Sequence, residues 1–287
     1  MFYKGVSTMK TIFLKILVFI FLFSLSAILS QEKNINTFKS VSDSSKKEKV
    51  KLVIRSAPIL TLEFNMLYDF GIYELSGNYN GDFNPEQFID GENFGVRHGI
   101  GSMITAKIPM HKRGNIRANV SLTYNIFSSK FNKSLSSGTE PDYMKYNVIS
   151  GIFGIENNFT PNFKIKTYAG IGLIASVIYG DGRITGEKST EDIEIIPAFR
   201  LGLSVNSGLE YMITNKFGVN CGIRFTHANL WLKESKVSDN PNEIYLNDDR
   251  TYTNQPYAGF KQFAWGSFFI GINYYFGIKE KVYIYTK

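Results

Sequence analysis

The sequence predicts an all-β protein, an eight-stranded antiparallel up-and-down transmembrane β-barrel. Three observations carry that expectation. Hydrophobicity repeats with a period of two in eight separate segments, the connections between them alternate short and long, and an export-type segment precedes them all.

The first segment sets Leu60, Leu62, Phe64, Met66, Tyr68, Phe70 and Ile72 on one face, against Thr61, Glu63, Asn65, Leu67, Asp69 and Gly71 on the other. Successive side chains of a strand point to opposite sides, so this strand has unlike surroundings on its two faces. The second runs from Val96 to Ile108, with Val96 on the apolar face and Arg97 and Lys107 on the polar one. The third, Ile116 to Ile126, places Arg117 on its polar face, and the fourth, about 146–159, places Glu156 there. Lys166 occupies the polar face of the fifth segment, which ends near Val177. Arg200 and Glu210 do so in the sixth, Phe199 to Tyr211. The seventh starts at Phe217 and carries Arg224; the eighth alternates Phe268, Ile270, Ile272, Tyr274 and Phe276 with Ser267, Gly271 and Asn273. Short turns are expected at His111–Asn115, Thr160–Asn162 and Thr214–Lys216, and long polar loops at 75–95, 129–145, 180–196 and 233–262. An even strand count with short turns at one end and long loops at the other is the layout of a membrane barrel.

Ahead of the barrel, Lys15 is followed by an uncharged apolar run, Ile16 to Leu29, and then Ser30. That run is short of the ~20 residues a spanning helix needs, and its basic flank suits a secretory signal. Residues 1–30 are therefore read as a signal peptide, 31–57 as a flexible polar linker, 58–277 as the barrel and 278–287 as a short tail. The tail is expected to pair locally with Lys51–Arg55. The net charge of +7 lies entirely before residue 56, and the remaining 232 residues hold 22 basic and 22 acidic side chains. A nucleic-acid binder concentrates positive charge on its folded face, so that function class is excluded. One Cys and three His leave no basis for a disulfide framework or a metal centre, and no cofactor is expected.

A soluble barrel with its apolar face turned inward shows the same alternation. Two features favour the membrane form. The polar faces are rich in Gly, Ser, Thr and Asn, which suit a crowded lumen. Aromatic residues also collect near strand ends (Tyr68, Phe70, Tyr73, Tyr124, Phe127, Phe159, Phe163, Tyr211, Phe217, Trp231, Phe263, Trp265, Tyr274, Tyr275, Phe276), as interfacial girdles do. On this pattern residues 58–277 resemble the eight-stranded outer-membrane barrel superfamily of OmpA-type and opacity-porin-like barrels. The terminal Gly271–Gly277 stretch is similar to the aromatic last strand of that family. The resemblance implies outer-membrane lipid and the barrel-assembly machinery as partners, with Tyr274, Tyr275 and Phe276 as the closing and assembly residues. It also implies a location in the outer membrane of a Gram-negative-type bacterium, with both termini periplasmic. In one respect the chain departs from the family: eleven residues follow Phe276.

Eight strands enclose a space that side chains fill, which disfavours a diffusion pore. The expected lumen network comprises Glu63, Lys107, Arg117, Glu156, Lys166 and Glu210 toward the short-turn end. Arg224 sits higher, and Asp69, Arg97 and Arg200 lie near the loop end. Buried charges must be paired, so these residues form either a gated polar channel or a salt-bridged plug. Opposite signs at matching depth favour the plug. His98 and His227 lie toward the loop end on the apolar face as girdle histidines, His227 has no Ser two residues on, and no enzymatic activity is expected. Loop 75–95, acidic and aromatic, and the tyrosine-rich loop 233–262 are the candidate surfaces for an extracellular partner. The expected role is therefore structural or adhesion-like, with a small-solute channel as the alternative.

Overall fold

The computed structural model describes residues 49–76, 94–111, 113–131, 142–161, 163–185, 190–236, 238–240, 242–249 and 261–286. The expected signal peptide, most of the linker, and residues 77–93, 132–141, 186–189 and 250–260 of the four expected long loops lie outside the described residues. Eleven strands are present among those described: β1 (Lys49–Arg55), β2 (Leu60–Ile72), β3 (His98–Pro109), β4 (Ile116–Phe131), β5 (Asp142–Asn158), β6 (Ile165–Thr185), β7 (Thr190–Met212), β8 (Phe217–Trp231), β9 (Glu243–Ile244), β10 (Ala264–Phe276) and β11 (Glu280–Thr286). No described helix is long and apolar enough to cross a membrane.

Eight of these strands, β2 to β8 and β10, pair in sequence order, each antiparallel to the next. The sheet closes between its first and last members. There β2 and β10 run in register from Leu60 opposite Phe276 to Ile72 opposite Ala264. Closure satisfies every strand edge within the barrel, which hydrocarbon surroundings require. By itself, β1 pairs with β11 in a two-stranded sheet that is not part of the barrel.

Local sequence explains the short turns. At the β3–β4 turn, Met110 donates to the Ile116 carbonyl (2.8 Å) and Gly114 takes φ +72, a left-handed backbone that favours glycine. Asn158 and Thr160 fold the β5–β6 turn through side-chain bonds: Thr160 N–H donates to Asn158 Oδ1 (3.1 Å), and Thr160 Oγ1 accepts from Thr167 N (3.0 Å). Thr214 Oγ1 accepts from both Lys216 N and Phe217 N in the β7–β8 turn.

At the opposite end the strands are unequal. β2, β3 and β10 have 13, 12 and 13 residues, whereas β6 and β7 have 21 and 23. Most of the expected loop 180–196 is therefore strand, as are residues 129–131 and 142–145 at the two ends of the expected loop 129–145. The alternation of Ile193 and Ile195 with Asp192 and Glu194 continues the β pattern, but its apolar face is turned the other way. The barrel consequently carries a raised wall along one side of its mouth.

Candidate functional site

Near the short-turn end, five of the expected lumen charges meet. Lys107 Nζ lies 2.6 Å from Glu63, 3.1 Å from Glu210 and 3.4 Å from Glu156. Arg117 Nη2 reaches Glu156 at 2.5 Å and Glu210 at 2.6 Å. Lys107, Arg117, Glu156, Glu210 and Glu63 come from β3, β4, β5, β7 and β2, so the cluster crosses the lumen and ties its walls together. Aromatic rings complete the packing: Lys107 Nζ sits 3.8 Å from the Tyr168 ring centre, and Lys166 Nζ 4.8 Å from that of Tyr275. Above the cluster, Leu67, Met103, Tyr168 and Phe269 form a small buried apolar group, with Arg224 Nη1 against Met103 Sδ. Asp69 accepts from Ser267 Oγ (2.5 Å) and Asn125 Nδ2 (2.7 Å). Beside Glu63, Lys107, Glu156 and Arg224 a void of about 10 Å³ remains, the room one water molecule needs.

A second closure lies at the mouth. Arg200, on β7, makes a bidentate pair with Asp248: Nε to Oδ2 at 2.8 Å and Nη2 to Oδ1 at 2.9 Å. The same carboxylate accepts from Asn229 Nδ2 (2.8 Å) and from the Glu234 N–H (3.1 Å). Asp248 belongs to the segment after β8, which turns back into the mouth. Its two-residue strand β9 pairs in parallel with β7 at Glu194–Ile195. Asn229 Oδ1 also accepts from Phe263 N (2.7 Å), fastening the start of β10 to the same carboxylate network. Packed around it is the largest apolar core of the described chain, including Leu75, Phe94, Val96, Phe127, Tyr146, Ile178, Ile193, Ile195, Leu246, Phe263 and Trp265. In the raised wall, then, apolar residues face inward. Asp181, Arg183 and Asp192 face outward, with Arg183 Nε 2.8 Å from Asp192. A bulge in β7 between Ile195 and Ala198, opposite Ile178–Gly180, changes which residues point inward: even numbers below, odd above.

Below the wall, the outside has the opposite character. Ile270 is 66% exposed, Phe153 65% and Leu122 60%, and large apolar residues of this kind occupy the outer face of all eight strands. So much contiguous apolar surface is incompatible with water, and polar and charged side chains fill the inside. The chain is an eight-stranded membrane β-barrel. Aromatic groups border its apolar belt: Tyr68 Oη meets His98 Nδ1 (3.0 Å) and Tyr124 Oη donates to Asn147 (3.0 Å) on the loop side. On the turn side, Tyr274 packs edge-on against Phe217 (5.0 Å) and Phe276 (4.6 Å).

No family model matches the barrel's sequence, and no curated protein matches it. Solved structures of similar fold include Neisserial surface protein A, with 15% identity over 77% of this chain and 99% of that one, at a TM-score of 0.41. OprG from Pseudomonas aeruginosa is 11% identical over 77% of this chain and 97% of its own, with a TM-score of 0.41. Ail, the attachment invasion locus protein of Yersinia pestis, is 11% identical over 78% and 99%, with a TM-score of 0.36.

Several expected placements are corrected within the barrel. Arg97 is exposed and outside the lumen. The regular phase of β3 begins at His98, and ahead of it the chain turns Val96 inward into the mouth core, after Gly95 at φ +70. Phe127, Phe263, Trp265 and Tyr275 are buried inside, not in the girdle, because each holds an inward position of its strand or the approach to it. Tyr275 nevertheless shares the closing strand with outward Tyr274 and Phe276. The mouth residues Asp248, Asn229 and Lys261 were missed. Their one sequence signal was Arg200 itself: Asp69, the strand acid expected at the same end, is taken by Ser267 and Asn125, and the acid that pairs with Arg200 comes from a loop.

Proposed function

We propose that the barrel is a non-enzymatic outer-membrane protein of a Gram-negative-type bacterium, with both termini in the periplasm. Its role is structural and recognition-like, exercised at the cell surface by the raised wall and long loops. The observation supporting this reading is the doubly blocked lumen. Paired charges cross the lumen at two levels, the cluster below and the Arg200–Asp248 closure above, and the void beside the cluster has room for about one water molecule. The charged groups Glu63, Lys107, Arg117, Glu156 and Glu210 are engaged with one another, and Arg200 is engaged with Asp248. With the interior filled, the surface remains as the working part. Among the described residues, the mouth presents Tyr143, Tyr179 and Tyr245, side chains suited to protein contact. Planar-bilayer recording from purified full-length protein tests this: no reproducible conductance steps are expected. Stable, repeated steps would overturn it in favour of a small-solute channel.

A further inference from the structure

We infer that the short-turn rim of the barrel is a binding surface for anionic phospholipid headgroups. Each of the three short turns and the end of β10 presents a cation: Arg113, Lys164, Lys216 and Lys279, all exposed. The turn segments themselves, 110–116, 159–165 and 213–217, contain no Asp or Glu. Among the described residues, none of these four cations has an ion-pair partner.

The opposite rim is built differently. Three of its cations are matched by acids, with Lys145 at 4.0 Å from Asp181, Arg183 at 2.8 Å from Asp192 and Lys236 at 2.7 Å from Glu234. The barrel's balanced charge is thus an average over two unlike ends. Among the described residues, one is mixed and in large part self-paired, and the turns of the other carry cations with no acid beside them.

Position selects the partner. Each of these four cations adjoins the apolar belt: Lys164 lies between Phe163 and Ile165, Lys216 precedes Phe217, Arg113 lies between Met110 and Ile116, and Lys279 follows Phe276. Those apolar neighbours are all exposed. A long cationic side chain there rests its methylenes on hydrocarbon and places its charge among headgroup phosphates. The ring is continuous with the lipid-facing belt, so a lipid phosphate meets it without leaving the bilayer. Lys164 belongs to this ring and not to the lumen face on which strict alternation places it.

Electron paramagnetic resonance of spin-labelled lipids around the refolded full-length barrel tests the inference. Labelled phosphatidylglycerol should associate about fivefold more strongly than labelled phosphatidylcholine, and 1 M NaCl should remove the preference. Combining Arg113→Gln, Lys164→Gln, Lys216→Gln and Lys279→Gln should bring the ratio close to one. The Lys130→Gln, Lys145→Gln, Arg183→Gln variant of the other rim should retain it. Heat-modifiable gel mobility confirms that each variant is folded before measurement. Equal association of the two lipids with the unmodified barrel, or a preference that survives in the four-site variant, would overturn the inference.

Discussion

Arg117 and Glu210 illustrate how a buried charge behaves when its partners are fixed by closure of the sheet. Each is withdrawn from water, and each contacts more than one opposite charge. Removing one member strands the rest in a low-dielectric interior, which typically costs about 3–5 kcal/mol. Arg117→Ala should therefore lower stability by that order, read from urea-induced unfolding in detergent or lipid. The double change Arg117→Ala with Glu210→Ala should cost clearly less than the two single losses added together, because it removes both sides of the 2.6 Å pair. Strict additivity would show that the lumen is hydrated and the pair does not contribute.

Among elements, the fold-back segment containing β9 depends most on a single side chain. Two ladder pairs to β7 are too few to hold it by backbone bonding alone, whereas Asp248 collects four donors from Arg200, Asn229 and Glu234. Asp248→Ala should release 233–249 while leaving the eight-stranded barrel intact. Limited proteolysis would show new cleavage in that segment, with unchanged heat-modifiable mobility. If cleavage there did not increase, apolar packing by Leu246 and Phe263 would be the stronger anchor. The last strand makes a contrasting case. Phe276 pairs with Leu60 and its carbonyl accepts from Ile59 N (2.9 Å), so it lies at the seam where the barrel closes. Phe276→Ala should lower the assembled fraction, visible as a loss of the heat-modifiable band from membranes.

For the whole molecule, the two ends differ in strand length, in charge and in the direction their apolar residues face. That asymmetry suits a barrel inserted one way, with its turns left in the periplasm and its raised wall carried outside. Cysteine labelling checks the orientation. In a Cys221→Ser background, a membrane-impermeant maleimide applied to intact cells should label Asp239→Cys, in the mouth segment, but not Lys216→Cys, in a short turn. Both positions are exposed, so accessibility within the fold does not confound the comparison. Labelling at Lys216→Cys alone would invert the topology.

The strand number, the register sense of each face and the short turns were legible in the sequence. They depend on local alternation and on turn residues such as Gly114, Asn158, Thr160 and Thr214, whose effects act over a few positions. The identities of the charges near the short-turn end were legible for the same reason: Lys107, Arg117 and Glu156 each hold an inward place in a regular strand. Their partnerships were not, since Lys107 and Glu210 lie 103 residues apart and meet through closure of the sheet. The mouth was least legible. There a bulge in β7 reverses the parity of inward positions, Gly95 redirects the chain before β3, and Asp248 arrives from a loop whose local sequence has no period. Alternation reports which side of a strand is apolar, but not whether that side faces lipid or a core. Below the bulge it faces lipid; above it, a core closed by the returning loop segment, an assignment that follows from the depth of each residue relative to the apolar belt.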